Sequence, residues 1–320
     1  MTVANRTPPP VQARALPRID PANLGFALAI MVLILVASVA NDVFLTERNL
    51  TNIARQIVTN GFLSLGMLIV ILTGGIDLSV GPVVAFAGLL ATGLQSEMAW
   101  PAAVGVALLM GLAVGAFNGY MIARFNLQPF IVTLATMGSL RGLIYMYSET
   151  PTYNEAPAFR DYLGAGFVGP FPVTALLFVA ALPIVWFYLN KTTSGRAVYA
   201  IGVNQEAVRL AGIDVRRHII AAYMACSFLA AFAGVLLASR LGVAQPSVGI
   251  GYELDAIAAV VIGGGILGGG GGTVLGVAGG VLALAVVDNV LNLFNVQSYY
   301  QQFLKGLIIL VAVLARRKRA

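Results

Sequence analysis

The sequence has little charge. Of its 320 residues only 10 % are charged, against about 25 % in an ordinary soluble domain, whereas 59 % are apolar. A soluble chain of this length needs a charged shell around its core, and this chain cannot make one. The shortage argues against a soluble enzyme, a disordered chain and a nucleic-acid-binding domain. It favours a polytopic membrane protein with several spanning helices.

Cysteine and histidine are also scarce. The single cysteine, Cys226, cannot form an internal disulfide, and the single histidine, His218, stands beside two arginines where a solvated loop residue is expected. No Cys/His cluster can hold zinc, no nucleophile–histidine–acid set is possible, and no G-x-x-x-x-G-K-[ST] loop exists to bind ATP. The chain is therefore expected to be neither an enzyme nor an autonomous pump. A passive channel, or a transporter powered by another subunit, remains.

Long apolar runs are abundant. About 20 helical residues cross roughly 30 Å of hydrocarbon. Runs near this length fall at 23–41, 55–73, 79–96, 101–123, 129–147, 172–190, 218–240, 254–267, 273–292 and 300–315. They predict an all-α membrane protein with about ten transmembrane helices in one domain, 23–315. A flexible cytoplasmic tail, 1–22, and a basic cytoplasmic tail, 316–320, are expected on either side.

Two of these runs allow a second interpretation besides a continuous transmembrane helix. Ser38-Val39-Ala40 resembles a signal-peptide cleavage site, but the length of the first run and the runs that follow favour a retained first helix. The eighth run, 254–267, is short and rich in glycine, so a broken or tilted helix is expected there.

The few charges are sorted between the loops. With the N-terminus in the cytoplasm, Lys and Arg collect in the cytoplasmic segments, at Arg6, Arg14, Arg18, Arg124, Lys191, Arg196, Arg209, Arg216, Arg217 and 316–319. Most acids fall on the other side, at Asp42, Glu47, Glu97, Glu149, Glu155, Asp161 and Glu253. This asymmetry follows the positive-inside rule and places both termini in the cytoplasm.

Two loops are unusually long. The outer loop, 148–171, is acidic, aromatic and punctuated by proline, and it is either a plain connection or a docking surface for an external partner. The inner loop, 191–217, predicts a short amphipathic helix, with Asn204 as N-cap, Glu206 in the first turn and Gly212 at the end. Such a helix suits a surface that pushes on a cytoplasmic partner.

Glycine is plentiful, at 36 residues. Its four-residue spacing at Gly111, Gly115 and Gly119 predicts close contact between helices, because small residues let backbones approach in lipid. The runs at 73–81 and 263–272 are too dense in glycine for continuous helix. Interrupted helices are expected at both, buried in protein or lining water.

Polar residues within the apolar runs are the candidates for a translocation path. A carboxylate at membrane depth needs a partner or a water-filled cavity, which applies to Asp77, Asp255 and Asp288, and the cations Arg141 and Lys305 lie in similar positions. The candidate path or gating residues are Asp77, Asn118, Gln245, Glu253, Asp255 and Asn289. For Asp77, capping of the following helix together with Ser79 is favoured over substrate contact or gating. For Asn118 and Asn289, hydrogen bonding between helices is the commoner role.

Several strings occur in a characteristic order. They are LTGGIDLSVG (72–81), NG (118–119), SGRAVYAIGVNQEAVRLAGIDVRR (194–217), ASRLG (238–242) and AQPSVGIGYELDAIAAVVIGGGILGGGGG (244–272). Together they resemble the membrane permease subunits of bacterial ABC sugar importers of the ribose/xylose/arabinose type, over nearly all of the chain after residue 24. One departure lies at 265–267, where Gly-Ile-Leu replaces the Thr/Ala-Ser-Leu of many relatives.

The resemblance implies a type II importer-like permease in the bacterial inner membrane. It implies a second permease copy or paralogue, two cytoplasmic ATPase subunits that bind ATP and Mg, and a periplasmic sugar-binding protein docked on 148–171 and 241–253. This chain would need no cofactor of its own. The coupling residues that rest in a cleft of the ATPase would be Asn204, Glu206, Arg209, Gly212 and Ile213.

The implied activity is import of a ribose-like pentose or a related sugar by alternating access. Two alternatives stay open: a branched-chain amino acid permease of the same superfamily, and a self-powered secondary carrier or channel.

Overall fold

The computed structural model describes residues 21–317, and most of them are helical. The longer helices are α1 (Pro21–Ala40), α2 (Glu47–Leu72), α3 (Val80–Gly93), α4 (Trp100–Phe125), α5 (Pro129–Tyr147), α7 (Val173–Lys191), α8 (Thr193–Val203), α10 (Val215–Leu241), α11 (Tyr252–Ile262), α12 (Val274–Leu293) and α13 (Ser298–Arg317). Two short ones are α6 (Pro157–Phe159) and α9 (Gln205–Leu210).

Six helices of the described part are long and apolar enough to cross a membrane: α2, α4, α5, α7, α10 and α12. A mostly helical, multi-pass membrane fold is therefore confirmed, whereas this count does not reach the predicted number of about ten. Two of the predicted runs form shorter helices, α3 with 14 residues and α11 with 11. At 1.5 Å per residue, α11 spans about 16 Å, roughly half of the hydrocarbon core.

Most of both predicted tails lies outside the described residues. The tail 1–22 is described only at Pro21 and Ala22, where α1 begins. Of the tail 316–320, Arg316 and Arg317 are the last residues of α13, two positions beyond the predicted end of the last span.

Both predicted interruptions are present. α2 ends at Leu72 and α3 begins at Val80, while α11 ends at Ile262 and α12 begins at Val274. The run at 254–267, for which the sequence predicts a broken or tilted helix, is helical only as far as Ile262 and is interrupted after it. Dense glycine explains this, since Gly264, Gly269 and Gly270 adopt positive φ angles that an α-helix does not allow.

Four two-residue strands were not expected from the sequence. β1 (Thr152–Tyr153) pairs antiparallel with β4 (Val243–Ala244), and β2 (Phe167–Val168) pairs with β3 (Phe171–Pro172). The pairing of β1 with β4 joins the two segments 148–171 and 241–253. Below, the end of the bundle that carries these strands is called the strand end. The opposite end, which carries the interruptions 73–79 and 263–273, is called the break end.

α10 lies at the centre of the bundle, packed against α2, α3 and α4. The contact with α4 is close because a Cβ atom at Gly111 or Gly115 would collide with the side chain of Ala231 or the carbonyl oxygen of Tyr223. A Cβ atom at Gly119 would lie 2.6 Å from Cα of Ile220. The predicted role of the four-residue glycine spacing is thus confirmed.

Candidate functional site

The predicted short helix of the 191–217 loop is present as α9. The side chain of Asn204 accepts a hydrogen bond from the amide of Ala207 at 2.9 Å, which caps the first turn. Glu206 and Arg209 form a bidentate ion pair, with nitrogen–oxygen distances of 2.9 and 2.6 Å. Gly212 ends the helix with a φ of +80°.

α9 presents almost its whole surface to the surroundings. Val208 is buried and anchors it to the core, whereas Leu210 is 78 % exposed, as is 76 % of Val203 at the end of α8. The hydrogen bonds from Arg209 hold the pKa of the Glu206 carboxyl below its usual value, so Glu206 is ionised at neutral pH. A rigid helix that carries exposed apolar residues around one ion pair has the composition of a protein contact surface.

The two interruptions lie against each other at the break end. The amide of Gly270 donates a hydrogen bond to the carbonyl oxygen of Leu72 at 3.0 Å. A Cβ atom at Gly269 would lie 3.0 Å from Cα of Gly74. The segments 73–79 and 263–273, more than 180 residues apart in the chain, therefore form one contact that we call the glycine junction.

α8 joins the glycine junction to α9. A Cβ atom at Gly202, near the end of α8, would collide with the carbonyl oxygen of Leu72 and the amide nitrogen of Gly270. The hydroxyl of Tyr199 donates to the carbonyl oxygen of Gly272 at 2.9 Å. Because α9 begins two residues after α8 ends, α8 connects α9 to both interruptions.

Asp77 lies in a buried polar network. It is fully buried, and its Oδ1 accepts hydrogen bonds from the amide and the hydroxyl of Ser79 at 2.9 and 2.6 Å. Asn118 donates to the hydroxyl of Ser79 at 2.9 Å and accepts from Thr136 at 2.6 Å. This placement favours the structural role, in which Asp77 fixes the start of α3 and Asn118 links three helices.

Asn289 also lies between helices. Its amide and that of Asn49 exchange two hydrogen bonds, at 3.0 and 2.8 Å, and both residues are buried. This reciprocal pair fastens α12 to α2. The placement favours the interhelical role over a role in the path.

Glu253 and Gln245 lie on either side of the turn between β4 and α11. Glu253 is in the first turn of α11, close to Gly81, and Gln245 is exposed in the turn before that helix. Arg141 of α5 holds this turn, because its Nη1 donates to the carbonyl oxygens of Pro246 and Val248 at 3.1 and 2.8 Å. Within residues 21–317 neither candidate forms a hydrogen bond with Asp77 or Asn118, so hydrogen bonds do not join the six candidates into one site.

Asp255 is the candidate that lines a polar cavity. The cavity, of about 560 Å³, lies between α2, α10, α11, α12 and α13. Its walls include Asn52, Arg55, Gln56, Thr59 and Asn60, which sequence analysis did not single out. The signal was available, since these five residues recur at helical spacing as a polar stripe on the first half of α2.

Comparison with known proteins identifies the family. The sequence profile described as the branched-chain amino acid transport system / permease component matches residues 49–313. The chain belongs to this permease family. No solved structure matches the permease.

Individual relatives cover nearly the whole permease. The ribose import permease protein RbsC of Bacillus subtilis is 42 % identical over 93 % of this chain and 94 % of its own. The D-allose transport system permease protein AlsC of Escherichia coli is 37 % identical over 92 % and 90 %. The L-arabinose ABC transporter permease protein AraH of Azospirillum brasilense is 36 % identical over 91 % and 86 %.

Proposed function

We propose that the permease is the membrane-spanning subunit of an ATP-driven importer that carries a ribose-like monosaccharide. The single observation that carries this proposal is the 42 % identity with a ribose import permease along nearly the full length of both chains. Allose and arabinose permeases among the relatives support the wider class of monosaccharides.

The proposed partners follow from the surfaces at the two ends. Two ATPase subunits, which bind ATP and Mg, contact α9 through Asn204, Glu206, Arg209, Gly212 and Ile213. A periplasmic sugar-binding protein docks on the strand end, where β1 and β4 join 148–171 to 241–253. A second permease copy or a paralogue completes the pair. The permease itself holds no cofactor.

The proposed topology has ten membrane segments with both termini in the cytoplasm of a bacterium. The six full-length spans are supplemented by α1, α3, α11 and α13. The break end faces the cytoplasm, because Arg196, Arg209, Arg216 and Arg217 are exposed there. Alternating access then proceeds from α9 through α8 to the glycine junction, where both interrupted helices move together.

Uptake measurements test the substrate class. Cells that express the complete importer are expected to accumulate radiolabelled D-ribose, with D-allose and L-arabinose tested in parallel. Deletion of the ATPase subunit is expected to abolish accumulation. Accumulation of leucine without any of the three sugars would favour a branched-chain amino acid permease, and transport by the permease alone in proteoliposomes would favour a self-powered carrier or channel.

A charge swap tests the coupling role of α9. Glu206→Arg is expected to uncouple ATP hydrolysis from uptake while the protein still inserts into the membrane, because it places two positive charges where an ion pair meets the partner. The double variant Glu206→Arg/Arg209→Glu restores an ion pair of reversed polarity. We expect the double variant to remain uncoupled, because the partner contacts the two charges in a fixed orientation. Full recovery of uptake would show that the ion pair serves only to stabilise α9. Unchanged uptake in Glu206→Arg alone would refute the coupling role.

A further inference from the structure

The segment 245–251, between β4 and α11, runs from the strand end into the bundle along α3; we call it the re-entrant segment. At the strand end, a Cβ atom at Gly93 would lie 3.4 Å from the side chain of Thr152 in β1. Near the other end of α3, a Cβ atom at Gly81 would collide with the carbonyl oxygen of Gly249. From Gly93 to Gly81 the helix spans about 18 Å, at 1.5 Å per residue. Gly249 therefore lies deep within a bundle that must cross about 30 Å of hydrocarbon.

The re-entrant segment is not helical, and one of its sides is exposed. Gly249 and Gly251 have φ angles of +78° and +84°. The side chains of Gln245, Ser247 and Ile250 are exposed. Irregular backbone at membrane depth is tolerated only where it is buried in protein or lines water. The exposed glutamine and serine favour water over lipid beside this segment, as expected on a translocation path.

Arg141 fastens the re-entrant segment to α5. Its Nη1 donates to the carbonyl oxygens of Pro246 and Val248 at 3.1 and 2.8 Å. Hydrogen bonds from a charged group are stronger than those between neutral groups. A cation at membrane depth is costly and is found where it has a functional partner. Here the partners are two backbone carbonyls that lie outside any helix, so Arg141 determines where the segment lies.

The start of α3 supports the re-entrant segment from another side. A Cβ atom at Gly249 would collide with the carbonyl oxygen of Gly81, and the reverse holds as well. Gly81 is the second residue of α3, which begins directly after the interruption 73–79. The re-entrant segment therefore contacts the helix start that follows the glycine junction, the contact that moves in the proposed transport cycle.

We propose that the re-entrant segment is the barrier that closes the translocation path within the membrane, and that Arg141 is the positioning residue that holds it closed. The proposal rests on the proposed function and adds the location of a gate to it. Arg141 acts on the backbone of the segment and not on the sugar. Movement of the glycine junction displaces the start of α3, which releases the segment on the side of Gly81.

Leakage through the resting importer tests the barrier. The complete importer is reconstituted in proteoliposomes loaded with radiolabelled D-ribose, and efflux is measured without ATP and without the binding protein. Arg141→Met removes both hydrogen bonds, whereas Arg141→Lys keeps the charge and a donor. Arg48→Met is the control, because it removes the same charge from an exposed side chain at the start of α2. ATP hydrolysis by the same samples reports assembly of the importer.

We expect efflux from Arg141→Met to be at least tenfold faster than efflux from Arg48→Met. Tenfold corresponds to about 1.4 kcal/mol, the scale of one hydrogen bond to a charged group. Arg141→Lys is expected to leak at least threefold less than Arg141→Met. ATP hydrolysis is expected to stay within twofold of the control, because α9 lies at the break end. With ATP and sugar-loaded binding protein added, Arg141→Met is expected to accumulate less sugar at an unchanged KM for the binding protein.

Two results would overturn the barrier. Efflux from Arg141→Met at the rate of Arg48→Met would mean that the re-entrant segment does not close the path. Loss of ATP hydrolysis in Arg141→Met and Arg141→Lys alike, without leakage, would mean that Arg141 only stabilises the fold. Failure of the proposed function would look different. The unsubstituted importer, supplied with ATP and the binding protein, would then accumulate none of D-ribose, D-allose and L-arabinose, whereas the efflux measurement needs neither addition.

Discussion

Gly202→Ala is the substitution that probes the glycine junction most directly. The new Cβ atom would collide with the carbonyl oxygen of Leu72 and the amide nitrogen of Gly270 and would lie 2.9 Å from the carbonyl carbon of Gly269. All three are backbone atoms, so no side chain can rotate away. α8 and the two interruptions must therefore move apart.

The magnitude follows from two opposing effects. Insertion of a methyl group into a packed contact costs about 1–3 kcal/mol, and backbone neighbours place the cost towards the upper end. Replacement of glycine by alanine within a helix returns about 0.5–1 kcal/mol. The net cost of about 2 kcal/mol falls on the state in which the junction is closed. An equilibrium between two transport states would shift by about thirtyfold.

Uptake of D-ribose by cells that express the complete importer measures this effect. We expect the initial rate to fall at least tenfold in Gly202→Ala, at an unchanged amount of permease in the membrane. Gly105→Ala is the matched control, because no atom outside the local chain lies within 4 Å of a Cβ atom there. Rates of the two variants within twofold of each other would refute the role of the junction.

The remaining predictions concern stability, measured as the apparent melting temperature of the purified permease. Gly115→Ala is expected to lower it, because a methyl group costs about 1–3 kcal/mol at the contact of α4 with α10, and an unchanged value would contradict the observed approach. Asn118→Ala is expected to lose about 1–3 kcal/mol, because it removes two buried hydrogen bonds, one to the hydroxyl of Ser79 and one from Thr136, and an effect no larger than that of Gly105→Ala would contradict the network. Asn49→Leu and Asn289→Leu are expected to cost less together than the sum of the single variants, because each single variant leaves one buried amide unpaired; strict additivity would exclude the reciprocal pair.

Local features of the fold could be predicted because neighbours in the chain create them. The cap of α9 joins Asn204 to a residue three positions on, and the ion pair of Glu206 with Arg209 has the same spacing. The interruptions at 73–79 and 263–273 follow from glycine density alone. Shortage of charge indicated a membrane protein before any contact was known.

The number of full-length spans and the strand end could not be predicted in the same way. Apolar composition does not tell whether a run crosses the whole membrane, so 79–96 and 254–267 were counted among the ten although α3 has 14 residues and α11 has 11. The pairing of β1 with β4 depends on backbone hydrogen bonds between segments about 90 residues apart, for which two-residue strands leave no periodic signal.

The sequence alone thus determined, through composition, glycine density and local capping, that the protein is a polytopic membrane protein. The same features determined its two interrupted helices and the capped helix between its spans. Tertiary structure alone decided what these parts do together. It placed both interruptions and Gly202 in one contact, and it paired Asp77, Asn118 and Asn289 with polar groups of other helices. It also gathered Arg55, Asp255, Asp288 and Lys305 around one cavity from four different helices. The physical reason is that a buried polar group takes its role from its partner, and the partners here are up to 240 residues away in the chain.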